Sequence, residues 1–199
     1  MSGDIAILGV GLHQWGKWGA NFDRTQAWWK TSAKSWVKNI TRNQYLLRQG
    51  IPDADILLYT GDGTPNGCGD RHRQRPILPN HLNYDCITPT VLQERIKVEN
   101  KRLVLPEGGS YELLYLKNSQ QVALKTLRLL NEYSKAGVVI VGGKPTELLA
   151  LTYEEQVSHA IQQEFKQLVD DIWSRPTTET NTNWQSIFAK HNLNFGFKT

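Results

Sequence analysis

Four tryptophans lie within fifteen residues near the start of the chain, in the stretch WGKWGANFDRTQAWW at residues 15–29. A tryptophan ring presents a large apolar face beside a polar edge, which suits the mixed surface of a sugar ring. Charged and amide groups stand among these rings, so a carbohydrate site is one interpretation of the stretch. The candidate sugar-contact residues are His13, Trp15, Trp18, Asn21, Asp23 and Arg24.

Glycosidic hydrolysis usually needs two carboxyl groups, about 5 Å apart in retaining enzymes and about 6.5–9.5 Å apart in inverting ones. Asp23 is the only acid of the tryptophan stretch, and the next ones (Asp53, Asp55 and Asp62) fall around a different strand. Asp23 also stands where a helix cap is expected, which is the simpler interpretation. We therefore predict no catalytic residue in this chain.

A second candidate site is the loop in LLYTGDGTPNG (57–67), which follows an apolar run. Flavodoxin-like proteins hold a flavin phosphate in such a loop, here Thr60, Gly61, Gly63, Thr64 and Gly67. A helix should then begin at once, whereas a loop extends over residues 61–82 and contains Pro65, Pro76 and Pro79. The GxGxxG and GxxxxGK[ST] patterns are both missing, so we predict no cofactor-binding residue.

The cysteines and histidines indicate no further chemistry. Cys68 and Cys86 are too few for a disulfide framework or a zinc site, and Cys68 is predicted to be a spectator thiol. The five histidines lack metal-ligand spacing, so no metal site is predicted.

Strands and helices alternate along the chain, which predicts an open, mostly parallel α/β sheet. Strands are predicted at residues 5–12, 54–60, 84–88, 111–116 and 138–143, with a small β-excursion before 111. Helices are predicted from a cap at Asp23 or Thr25 to Gly50, at 89–95, at 120–135 and at 153–173. A polar linker is expected at 174–183, then a short helix and an extended end.

Apolar spacing identifies the buried face of each long helix. The predicted core positions are Trp29, Ala33, Trp36, Ile40 and Leu47 in the first; Ala123, Leu127, Leu130 and Ser134 in the next; and Val157, Ile161, Phe165, Leu168 and Ile172 in the last. Trp28 lies beside the first stripe and is not assigned. Trp15 and Trp18, which flank glycines, are the better candidates for facing a ligand or another domain.

Composition excludes several classes of partner. The net charge is only +4, and the basic cluster DRHRQR (70–75) has no interleaved aromatic residues, so nucleic-acid binding is not expected. No apolar run approaches the roughly 18 residues of a membrane span. The start of the chain lacks the basic region of a signal peptide, which leaves the localisation open.

Several blocks together resemble one family. They are GANFDRTQAWW, RNQYLLRQG, DADILLYTGDGTPN, YDCITPTVL, KRLVLPEGGSYELLYL and AGVVIVGGKP. In this order and spacing, from about residue 9 to 173, they resemble glycoside hydrolase family 106, the α-L-rhamnosidase-type enzymes.

The resemblance implies a position within a longer enzyme. Family members carry a (β/α) barrel with catalytic carboxylates and a calcium site, then a flavodoxin-like α/β domain and β-sandwich domains; they are regarded as inverting and are typically exported. Residues 1–50 would be the C-terminal remnant of the barrel, 51–173 the flavodoxin-like domain, and 174–199 a linker and tail.

This position implies a chain without its own catalytic pair, since the upstream glutamates have no counterpart in it. Calcium is expected only in the intact enzyme, and a rhamnose-containing glycan is the implied ligand there. The missing barrel and sandwich segments are possible partners. Asn21 and Ala27 depart from the family, which usually has His and Thr at these positions.

Two alternatives remain open at this point. The chain could be a stand-alone flavodoxin-like module that binds a nucleotide or flavin, or it could be an assembly module. The fold alone does not decide between these functions.

Overall fold

The computed structural model describes residues 30–51, 54–63, 67–68, 78–79, 82–117 and 119–193. The chain divides into two compact units, Met1–Ile51 and Pro52–Thr199. The first unit contains helix α1 (Ala33–Leu47). The described elements of the second are, in chain order, β1 (Ile56–Tyr59), β2 (Tyr84–Ile87), α2 (Pro89–Glu94), β3 (Lys97–Glu99), β4 (Arg102–Val104), β5 (Ser110–Tyr111), β6 (Leu113–Leu116), β7 (Gln121–Val122), α3 (Leu124–Lys135), β8 (Val139–Val141), β9 (Glu147–Leu148), α4 (Tyr153–Val157), α5 (His159–Trp173), β10 (Thr178–Glu179) and α6 (Trp184–His191).

Helix α1 is amphipathic, but its apolar stripe is not buried. Trp36 is 43% exposed and Leu47 is 83% exposed, whereas Ala33 is the one buried residue of the helix. The prediction that Trp36 and Leu47 pack in a core is therefore wrong. Spacing makes a helix two-sided, but burial also requires a facing surface. Trp29 and the predicted start of this helix lie outside the described residues.

Five parallel strands form the central sheet, in the order β10-β8-β6-β1-β2. This is the strand order of the flavodoxin-like fold, so the predicted fold class is confirmed. All four residues of β1 and all four of β6 are buried, because both faces of a parallel sheet are covered.

The direction of the connections explains which face each helix covers. The connections from β2 to β6, from β6 to β8 and from β8 to β10 all run in the same direction across the sheet. Right-handed crossovers therefore place α2, α3 and α5 on the same face. These helices pack on Leu57, Tyr59 and Leu114, together with neighbouring buried residues. The step from β1 to β2 runs the opposite way and therefore crosses the second face.

The second face has a different cover. Ile56, Leu58 and Tyr115 pack there against Trp184 and Ile187 of α6 and against Leu78 and Leu82. Leu78 and Leu82 are fully buried. The segment predicted as a loop at 61–82 thus contributes core side chains.

Two predictions about the last third of the chain are wrong. Residues 153–173 form two helices, because the chain leaves helical geometry at Ser158, whose hydroxyl accepts from Ile161 N–H and caps α5. Val157 is consequently 56% exposed, while Phe165 and Ile172 are buried as predicted. The polar segment 174–183 contains the edge strand β10 rather than only a linker.

The β-excursion is confirmed as a three-stranded antiparallel sheet, β3-β4-β5. This small sheet includes Tyr111, which was predicted to begin the strand 111–116. Tyr111 pairs with Leu103 of β4, and only Leu113–Leu116 join the central sheet.

Candidate functional site

Open α/β sheets bind ligands beyond the carboxyl ends of their strands, at the point where the strand order reverses. In this sheet the reversal lies between β1 and β6, because β1 leads to β2 on one side and the chain returns to β6 on the other. Residues 60–63 follow β1 and Lys117 follows β6. This edge is therefore the candidate site of the second unit.

The side chain of Asp62, in the loop after β1, lies at the N-terminus of helix α3. Its Oδ2 accepts a hydrogen bond from the backbone N–H of Ala123 at 3.0 Å, and its Oδ1 accepts one from the Thr126 hydroxyl at 2.7 Å. Ala123 immediately precedes α3 and cannot cap the helix with its own side chain. The carboxylate from the β1 loop therefore supplies the cap and lies at the positive end of the helix dipole.

Tyr59 extends the same network into the core. Its hydroxyl lies 3.4 Å from Thr126 Oγ1, and the side chain is 1% exposed. Burial raises the pKa of Tyr59 far above its ordinary value, and the hydrogen bond and charge of Asp62 raise it further. The phenol therefore stays protonated at physiological pH and is a structural donor rather than a base.

The beginning of the predicted phosphate loop is bonded to β2. Both the backbone N–H and the hydroxyl of Thr60 donate to the Ile87 carbonyl, each at 3.2 Å. Gly61 then turns the chain with a φ of 103°, which favours glycine. Thr60 and Asp62 thus serve the fold, and Thr64 lies outside the described residues.

Two further contacts hold the loop downstream. Lys117 Nζ donates to the carbonyls of Gly67 and Cys68 at 3.2 and 3.3 Å. Cys68 forms a disulfide with Cys86 of β2, with the two Cα atoms 5.6 Å apart. The prediction of a spectator thiol at Cys68 is wrong, because parallel pairing of β1 and β2 brings two cysteines 18 residues apart to the same edge.

A second charged cluster lies at the edge strand β10. Glu179 Oε1 accepts from Lys190 Nζ at 2.6 Å and lies 2.7 Å from His191 Nε2. Burial alone would raise the pKa of Glu179, but the hydrogen bonds from Lys190 and His191 outweigh it and the pKa lies below its usual value. Sequence spacing shows only that Lys190 and His191 are near the end of a short helix; their pairing with Glu179 depends on the strand missed above.

The predicted sugar-contact residues cannot be compared with this geometry. His13, Trp15, Trp18, Asn21, Asp23 and Arg24 all lie outside the described residues.

Among the described residues, no three His, Cys, Asp or Glu side chains come together as a metal site would require. Within the same residues, no helix is long and apolar enough to cross a membrane.

Comparison with known proteins gives one family. The sequence profile of glycoside hydrolase family 106, described as alpha-L-rhamnosidase, matches residues 7–198. A curated protein of Formosa agariphila, named "Putative beta-glucuronidase", is 29% identical over 161 residues. That match includes 79% of this chain but only 13% of the relative.

A solved structure shows the same fold. The rhamnosidase from Novosphingobium sp. PP1Y superposes with a TM-score of 0.67 at 23% sequence identity. The alignment covers 88% of this chain and 17% of the rhamnosidase. The chain thus spans less than a fifth of each of these two longer proteins.

Proposed function

The chain belongs to glycoside hydrolase family 106, and from this premise we propose that it contributes one part of a larger rhamnosidase-type glycosidase. The family profile over residues 7–198 is the observation that supports this proposal most strongly. The homologues support a glycosidase function and therefore a carbohydrate substrate. An α-L-rhamnoside is the proposed substrate of the complete enzyme.

The described carboxylates favour a non-catalytic role for this part. Inverting hydrolysis needs one acid to protonate the leaving oxygen and one base to activate water, about 6.5–9.5 Å apart. Asp62 accepts hydrogen bonds at the start of α3, and Glu179 is paired with Lys190. Asp85 accepts from the Tyr111 hydroxyl, and Glu112 is paired with Arg102. These side chains stabilise the fold, so the catalytic pair is proposed to come from other parts of the complete enzyme.

Helix α1 supports the same proposal from a different direction. Val37, Leu46 and Leu47 are exposed, and Ile51 beyond the helix is 64% exposed. An apolar surface of this kind usually marks an interface. The proposed counterpart is the preceding part of the glycosidase, in agreement with the hypothesis that residues 1–50 end a (β/α) barrel.

Complementation tests the proposal. The segment of the Novosphingobium rhamnosidase that matches this chain would be deleted, and the purified chain would be added in trans. We expect partial recovery of hydrolysis of an aryl α-L-rhamnoside in calcium-containing buffer, and less recovery with a Leu46→Lys/Leu47→Lys variant. Lys34→Glu, on a polar position of the same helix, is the matched control. No recovery with any variant, despite a folded chain, would contradict the proposal.

The substrate is tested by repeating the deletion and complementation with the Formosa relative. The name of that relative makes an aryl β-glucuronide the substrate to assay there. We expect the chain to restore the rhamnosidase and not the Formosa relative. Recovery of the Formosa relative alone would retain the glycosidase proposal but overturn the proposed sugar.

The flavin-binding alternative has a direct test. Thr60 donates two hydrogen bonds to the Ile87 carbonyl, and Asp62 accepts the Ala123 N–H at the start of α3. A phosphate bound in this loop would have to displace these contacts. We therefore expect no thermal shift with flavin mononucleotide. A saturable shift would favour the stand-alone binding module instead.

A further inference from the structure

The connection between β1 and β2 differs from the later connections of the central sheet in the residues that pack on the sheet and in its disulfide. Helices α2, α3 and α5 belong to the later connections and pack on the first face. Between β1 and β2, the described residues Leu78 and Leu82 cover the second face, and neither belongs to a helix. The Cys68–Cys86 disulfide closes this connection by tying its beginning to the strand in which it ends.

The disulfide joins the loop after β1 to the residues that cover the second face of the sheet. Cys86 packs against the second-face core cluster that includes Leu78 and Leu82. Cys68 follows the β1 loop at the reversal point of the sheet, where Lys117 also binds its carbonyl. Both cysteines are half-buried.

We infer that Cys68–Cys86 is a redox site whose reductant is a dithiol, and that it fixes both the loop after β1 and the cover of the second face. A thiolate of the dithiol attacks one sulfur and forms a mixed disulfide; the second thiol then displaces the other cysteine. Two electrons and two protons pass from the dithiol, which becomes a disulfide, to Cys68 and Cys86, which become thiols. Partly exposed disulfides are the ones that undergo this exchange most readily.

Reduction would release one of several attachments of the loop. Asp62 would still cap α3, and Thr60 would still donate to Ile87. The connection from residue 67 to β2 would lose its covalent closure, which raises the entropy of the unfolded chain and lowers its stability. The contacts of Asp62 and Thr60 do not involve the disulfide, so we expect the sheet to stay folded after reduction.

Dithiothreitol is the probe. The untreated chain should show no free thiols under denaturing conditions, and tryptic digestion should give peptides 49–71 and 74–95 linked together. After reduction we expect two thiols, a melting temperature lower by roughly 6–12 °C, and faster hydrogen exchange at residues 67–68 and 82–87. Exchange at residues 124–135 of α3 should change little.

A Cys68→Ser/Cys86→Ser variant is the control. It should melt at the temperature of the reduced chain and show no further change with dithiothreitol. Two free thiols in the untreated chain would overturn the inference, as would reduction that leaves both melting and exchange unchanged. If the double variant does not fold, reduction and reoxidation of the natural chain give the same comparison. The outcome is independent of glycosidase activity.

Discussion

Two half-buried carboxylates, Asp62 and Glu179, show how single residues of this chain are used. Asp62 and Glu179 both lie at the carboxyl edge of the sheet, where an enzyme of this fold could place catalytic groups. Each is instead engaged by donors from a helix: Asp62 at the start of α3, and Glu179 at the end of α6. Residue type predicted chemistry for neither, and the contacts indicate stabilisation for both.

Removing the Asp62 carboxylate should weaken α3. In Asp62→Ala, the Ala123 N–H and the Thr126 hydroxyl lose their acceptor, so we expect a loss of roughly 1–2 kcal/mol in the free energy of unfolding. Asp62→Asn should lose less because its amide oxygen can still accept. Urea denaturation measures both, with exposed Asp171→Ala as control; equal stability of Asp62→Ala and the natural chain would show that the cap is unimportant.

Glu179 should make stability depend on acid. Its pKa is lower in the folded chain than in the unfolded chain, so the contribution is complete above the unfolded value, near 4.5, and disappears as the pH falls through the folded value. Glu179→Gln should therefore flatten the stability profile below about pH 5. Urea midpoints across this range test the effect, and Glu94→Gln is the control. An unchanged profile in Glu179→Gln would contradict the assignment.

At the scale of elements, the sequence predicted what local periodicity determines. The β1 and β8 runs are short and wholly apolar, and their positions followed directly; the stripe of α3 was buried as predicted. Three features were missed for physical reasons. The break at Ser158 arises from a local cap, β10 is a two-residue polar edge strand, and the exposure of α1 depends on a surface that spacing cannot supply.

Close packing between β6 and β8 gives an element-scale prediction. A Cβ atom at Gly142 would lie 2.7 Å from Leu116 Cβ and 3.1 Å from its carbonyl oxygen. Gly142→Ala should therefore force the two strand ends apart and cost roughly 1–3 kcal/mol of stability. Gly63 has open space around it, and Gly63→Ala should change stability by less than about 0.5 kcal/mol. Equal effects of the two changes in urea denaturation would argue against tight packing at Gly142.

At the scale of the whole molecule, the sequence blocks and the family profile identify the same family, and the strand order identifies the fold. Alternating patterns predicted an open parallel sheet, but the order β10-β8-β6-β1-β2 and the Cys68–Cys86 pair arise only when distant strands meet. The candidate sugar residues lie outside the described part of the chain, so they remain predictions. The family assignment therefore depends on the whole pattern rather than on any one site residue.

The central proposal is that this chain is part of a rhamnosidase-type enzyme and does not contain its catalytic pair. The most direct measurement is turnover of an aryl α-L-rhamnoside by the purified 199-residue chain with calcium present. We predict release of the aryl group at the uncatalysed rate, because Asp62 and Glu179, at the carboxyl edge of the sheet, are engaged in the fold. Saturable turnover that scales with the concentration of the chain would contradict the claim.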